Sequence, residues 1–125
     1  MRMSTGESLG CGTASIAAWS VLNCPLPAGS GRSQVLGAFR KKLLPAMRGY
    51  RPGLVILSAG FDSRRGDPLG RFTLSDADFG ELTSLALEAA DISSDGRVVS
   101  LLEGGYSLDG LTRAVSAHIE ALLEL

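Results

Sequence analysis

From Ser33 onward, apolar and polar positions follow two distinct periods. Val35, Leu36, Phe39, Leu43, Leu44 and Met47 recur three and four residues apart, with Arg40, Lys41 and Lys42 opposite them. This spacing predicts an amphipathic helix. Ser33 is its expected N-cap, Gly49 its C-cap, and Pro52 lies just beyond. Pro45 falls inside the pattern and is expected to kink the helix or end it early. Residues 53–60, GLVILSAG, form a continuous aliphatic run that predicts a strand buried on both faces. Residues 73–91, TLSDADFGELTSLALEAAD, return to the helical period, and Ser75 with Asp78 three residues on resembles a capping box. Residues 96–105, GRVVSLLEGG, predict a second buried strand ending in a glycine pair. Residues 107–125 predict a third amphipathic helix, with Leu111, Val115, His118 or Ile119, and Leu122 near one face.

The chain before Ser33 is punctuated differently. Gly6, Gly10, Gly12, Gly29 and Gly31, with Pro25 and Pro27, break up the first thirty residues. Residues 18–23, AWSVLN, are a short apolar run expected to be a strand, which the prolines after Asn23 end. Residues 1–32 are thus an irregular lead-in, and residues 33–125 a series of helices and strands. The order strand–helix–strand–helix–strand–helix gives the fold class α/β, a parallel sheet flanked by helices. In such sheets ligands bind beyond the carboxyl ends of the strands. Two ends stand out: SAGFDSRRGDPLG, residues 58–70, and LEGGYS, residues 102–107.

Composition narrows the partners. The chain has 125 residues, 45% apolar and 20% charged, which fits one soluble globular domain. A net charge of −1 gives no electrostatic reason to expect direct nucleic-acid binding or an anionic membrane. No apolar run reaches the roughly 18 residues of a membrane span, and no compact apolar segment comes after Arg2 to make a signal peptide. Cys11 and Cys24 lack CxxC spacing and read as free thiols in a reducing, cytoplasmic compartment. The single histidine, His118, sits at apolar spacing in the last helix, away from the strand-end motifs, and reads as a core or surface histidine.

The strand ends carry the candidate chemistry. Asp62 could ligate a divalent cation, accept hydrogen bonds from a loop backbone, or pair with Arg64 or Arg65. Asp67-Pro68 reads as a structural turn, since an Asp before Pro bonds nearby backbone N–H groups. Gly104 and Gly105 permit positive φ and close backbone approach, presenting Tyr106 at the sheet edge. A phenol there can donate to a carbonyl or a developing oxyanion. Glu103, also at a strand end, could hold a loop or act as an acid.

LVILSAGFDSRRGDPLG, a helix, then RVVSLLEGGYSLDGL and a closing helix together resemble the C-terminal part of the histone deacetylase family. The likeness is to its class II type and bacterial acetylpolyamine amidohydrolases, and it runs from about Thr5 onward. The resemblance implies part of an arginase-like α/β fold. It also implies a zinc-dependent hydrolase that removes N-acetyl groups from lysine or polyamines. On it, Asp62 is a zinc ligand, Tyr106 the donor to the scissile carbonyl and its oxyanion, and Leu69 a residue of the acyl-lysine channel. Gly104 and Gly105 shape the channel wall.

Departures from the family limit what the chain can do alone. The sequence has no His-His pair and no D-x-H motif, which supply the family's general base and its other zinc ligands. A catalytic zinc takes about three protein ligands, so the chain alone is expected to be inactive: the C-terminal portion of a deacetylase domain without its N-terminal half. Arg64 replaces a histidine found in many relatives two positions after the aspartate. Two other readings compete. One is a non-catalytic remnant that folds or binds a partner. The other is a different hydrolase using Asp62, Asp67 and Glu103 around Mg²⁺, weakened by the lack of a phosphate-cradling loop or a nucleophile elbow. A sheet cut along one strand would also expose an unpaired edge open to self-association.

Overall fold

The amphipathic stripe of residues 35–47 becomes a helix with a defect in its middle. In the computed structural model, which describes residues 21–123, α1 runs Arg32–Ala38, a single π-helical turn covers Phe39–Leu43, and α2 runs Leu44–Tyr50. The defect has a local cause. Pro45 has no N–H to donate, and its ring would clash with the carbonyl four residues back; widening the preceding turn absorbs both. The expected kink is therefore a π turn, and the helix continues past the proline. Its ends also differ from expectation. Gly31, not Ser33, is the N-cap, and the left-handed cap is Arg51 at φ 51° rather than Gly49, which stays helical.

β1 (Val55–Ala59) and β2 (Val98–Leu102) pair in parallel, from Val55 opposite Val98 to Ala59 opposite Leu102. The crossover between them is α3 (Asp76–Ser94), and α4 (Leu108–Leu123) comes after β2. Ser75 caps α3 much as expected. Asp78 Oδ2 accepts both the Ser75 backbone N–H and its hydroxyl, each at 2.8 Å. The first half of the strand expected over residues 18–23 lies outside the described residues, and its last three, Val21–Asn23, are not in a strand. No helix among the described residues is long and apolar enough to cross a membrane.

Two apolar clusters hold these elements. Val35, Phe61, Leu74, Phe79 and Ala114 form one, directly beneath the end of β1. Leu36, Leu44, Leu85 and Ala89 form the other, between α1–α2 and α3. Helices α3 and α4 approach closely because small residues line the seam: a Cβ on Gly80 would lie 3.3 Å from the Ala117 carbonyl oxygen. The buried stripe of α4 is Gly110, Ala114, His118 and Ala121, with Ile119 left exposed.

The strands are not buried on both faces. Val55 is buried, but Ile56, Val99 and Leu101 are 62%, 45% and 54% exposed. With Leu54 they share one side of the sheet, because side chains alternate along each strand and Ile56 lies opposite Val99. A run of aliphatic residues fixes the strand but not what covers its second face.

Candidate functional site at the strand ends

Since Ala59 and Leu102 are the last register pair, the two strands end level, and the loops after them leave the same edge. Pairing then persists past the strands: Glu103 N–H donates to the Ala59 carbonyl at 3.0 Å, and Phe61 N–H to the Gly104 carbonyl at 2.8 Å. These bonds fix Asp62 and Tyr106 on adjacent segments. Phe61, between them in the core, packs against Phe79 with centroids 5.1 Å apart and edge-on to His118 at 5.6 Å. His118 is thus close to the strand-end motif, contrary to expectation, although it takes no part in it.

His118 is a hydrogen-bonded core residue. Its Nδ1 lies 2.6 Å from Thr83 Oγ1, and its Nε2 2.8 Å from Ser100 Oγ. Thr83 spends its own proton on the Phe79 carbonyl at 2.7 Å. The imidazole therefore donates from Nδ1 and accepts at Nε2, a neutral tautomer. Burial pushes its pKa below the ordinary histidine value.

Asp62 is half-buried, and neither arginine beside it is its partner. Arg64 turns to Asp76, giving Nη2 to Oδ2 at 3.1 Å as well as its Nε, and Arg113 Nε reaches the same carboxylate at 3.3 Å. Among the described residues no hydrogen bond or ion pair engages the Asp62 carboxylate. Instead glycines surround it. A Cβ on Gly104 would stand 2.9 Å from Asp62 Oδ2, and one on Gly60 3.4 Å from Oδ1. Gly70 is tighter still: its Cβ would lie 1.5 Å from the Asp62 carbonyl oxygen, so the turn folds back on Asp62 only with glycine there. Nothing along the chain singles out Gly70 beyond its place at the end of DPLG.

The two glycines before Tyr106 have different jobs. Gly105 takes φ 140°, and a Cβ on it would meet Leu111 Cδ1 at 2.6 Å. Gly104 supplies the close approach to Asp62. Tyr106 itself is 55% exposed and Leu69 is 68% exposed. Asp67 makes the turn expected of it: Oδ1 accepts the N–H groups of Leu69 at 2.8 Å and Gly70 at 2.9 Å. Its Oδ2 does something the sequence did not suggest, accepting the Tyr106 backbone N–H at 2.8 Å. Burial works to raise the Asp67 pKa, but N–H groups of Gly70, Tyr106, Leu69 and Ser107 outweigh it and hold the carboxyl below its ordinary value. Pro68 is next in the same turn, exposed.

Asp62, Asp67 and Glu103 do not converge. Among the described residues no three of His, Cys, Asp and Glu are grouped to hold a metal ion. Asp67 is occupied by backbone donors, and Glu103 accepts the Ser58 hydroxyl. The competing reading of these three around Mg²⁺ has no geometric basis among the described residues. An apolar cavity of about 690 Å³ opens beside β1; of the site residues named from the sequence, only Asp62 lines it.

Residues 5–122 match the profile of the histone deacetylase domain. The chain is 34% identical over 108 residues to type-2 histone deacetylase 2 of Dictyostelium discoideum, covering 84% of this chain and 6% of that protein. It is 39% identical over 95 residues to the polyamine deacetylase HDAC10 of Mus musculus, covering 76% of this chain and 14% of that one. Its fold matches the structure of the histone deacetylase Clr3 with a TM-score of 0.76 at 34% identity, over 83% of this chain and 17% of the other. The chain therefore spans a small fraction of the length of these proteins.

Proposed function

Because the chain belongs to the histone deacetylase family, we propose that it forms the C-terminal portion of a zinc-dependent deacetylase domain that hydrolyses the N-acetyl amide of lysine or of a polyamine. The observation that carries this is the half-buried Asp62 carboxylate. It is unengaged among the described residues, held against Gly104, and sits one strand from Tyr106. A turn-stabilising aspartate would spend its oxygens on the loop, as Asp67 does.

Zinc would take Asp62 as one ligand, but a catalytic site needs about three from the protein. The described residues group no others with it, so they do not fit a complete centre; on this reading the chain alone does not hydrolyse amides. What the chain contributes to the chemistry is its own. Tyr106 donates its phenolic hydrogen to the scissile carbonyl and more strongly to the oxyanion that forms there, so it lowers the barrier rather than merely binding substrate. Leu69, exposed beside it, lines the acyl channel, and Gly104 and Gly105 keep the wall free of side chains. The two cysteines without disulfide spacing support a cytoplasmic setting.

The test joins this chain to the amino-terminal half of a family member and assays acetyl-lysine peptide and acetylated polyamine. Asp62→Ala should abolish zinc binding, and Tyr106→Phe should keep zinc while lowering turnover by ~10²–10³. Stoichiometric zinc in the first variant, or full turnover in the second, overturns the assignment.

A second reading has its own observation. The apolar face of Leu54, Ile56, Val99 and Leu101 is exposed, which favours a non-catalytic module that binds a partner or a second copy along the sheet. Sedimentation of the chain separates the two: a strict monomer at micromolar concentration counts against this module.

A further inference from the structure

Tyr106 poses a positional problem. Its side chain is more than half exposed, and it comes after two glycines, one at φ 140°, so neither packing nor backbone stiffness on its amino-terminal side fixes it. An oxyanion donor has to be held in place to be useful, since donors must lie about 2.7–3.1 Å from where the charge develops. The fixed point is across the edge. Asp67 Oδ2 accepts the Tyr106 N–H at 2.8 Å, while Oδ1 accepts Leu69 N–H and Gly70 N–H at 2.8 and 2.9 Å.

We infer that Asp67 is the positioning residue for Tyr106, one carboxylate setting the spacing between the oxyanion donor and the Leu69 wall of the channel. The inference rests on the assignment of Tyr106 as that donor. Its chemistry requires a carboxylate. Both oxygens are used as acceptors toward opposite segments, and an amide offers only one acceptor atom, its nitrogen being a donor. Asp67→Asn is therefore isosteric yet cannot serve both sides: it keeps either the Leu69–Gly70 turn or the Tyr106 N–H. Because the loop from Phe61 to Leu74 has independent anchors, Arg65 N–H to the Leu74 carbonyl at 2.8 Å and Arg64 to Asp76, the substitution acts on the link between the segments and not on the fold.

Two measurements test this. The first is amide hydrogen exchange on the full chain. In Asp67→Asn the Tyr106 amide should lose protection by about tenfold or more, the worth of one hydrogen bond, while Leu57 and Val99 in the strands keep theirs. Unchanged exchange at Tyr106 overturns the inference whether or not the protein proves to be a deacetylase; loss at all three amides means Asp67 is a general fold determinant and overturns it too. The second is a double-mutant cycle in the enzyme joined to a family amino-terminal half. Asp67→Asn should lower kcat about tenfold with KM little changed. It should then cost nothing more in the Tyr106→Phe background, because a positioning residue has no effect once the group it positions is gone. Losses that multiply overturn it. If the parent enzyme shows no deacetylase activity, the functional reading fails, and the exchange measurement still decides what Asp67 does.

Discussion

The carboxylate of Asp62 rests against the Cα of Gly104, so closely that a Cβ there would lie 2.9 Å from Oδ2 and 3.0 Å from Cγ. The end of β2 thereby sets the position of a side chain just beyond β1. The atoms in the way belong to a side chain, which can swing aside. Gly104→Ala should therefore change stability by less than about 1 kcal/mol, within the range of ordinary substitutions, but displace the carboxylate. In the joined enzyme, zinc content and turnover should fall together while the melting temperature holds. Normal zinc and turnover would show that the contact does not position Asp62.

Gly70 presents the opposite case. The atom 1.5 Å from its would-be Cβ is the backbone oxygen of Asp62, which cannot move without the strand end moving. Gly70→Ala should destabilise the chain by about 3 kcal/mol or more, the upper range for forcing extra volume into a packed site. Urea unfolding measures this, and a loss below about 1 kcal/mol contradicts the geometry.

At the start of α3, Asp78 is buried and bonded to Ser75, whereas its ion-pair partner Arg32 is more than half exposed. An exposed partner adds little, while a cap adds about 1 kcal/mol. Asp78→Ala should cost about 1–2 kcal/mol, and Arg32→Ala less than about 1. Equal losses in chemical denaturation would mean that the ion pair, not the cap, carries the energy.

His118 gives the fold a pH dependence. The imidazole is neutral in the folded chain, its pKa pushed down by burial, while the unfolded chain binds the proton near the ordinary value of about 6.5. More protons are then bound on unfolding, so stability is full above about pH 6.5 and falls as pH drops through the folded pKa. The urea midpoint should fall between about pH 7.5 and about pH 5.5. It is the only histidine in the chain, so His118→Gln should flatten that slope. A slope that survives assigns the effect to other groups.

Much of this arrangement was legible in the residues. The helical spacing of residues 35–47, the Ser75 cap and the two aliphatic strands all appear where the periodicity placed them, because each depends on neighbours within a few positions. The link between SAGFD and LEGGY was legible only as a resemblance, through two motifs about forty residues apart. Local signals misjudged the edges of elements: Ser33 and Gly49 suit caps by composition, but Gly31 and Arg51 cap instead.

By itself the sequence placed the three helical stretches and the two aliphatic strands, and offered Asp62 and Tyr106 as candidates for the chemistry, since side-chain type and backbone period are local properties. Only the tertiary structure decided their use. It sent Arg64 to Asp76 and left Asp62 unengaged among the described residues, drew His118 between Thr83 and Ser100, and turned Asp67 from a turn residue into a bridge to Tyr106. Those pairings join positions 12 to 39 residues apart, and a hydrogen bond forms only where folding brings its two atoms within about 3 Å, a distance that no spacing along the chain specifies.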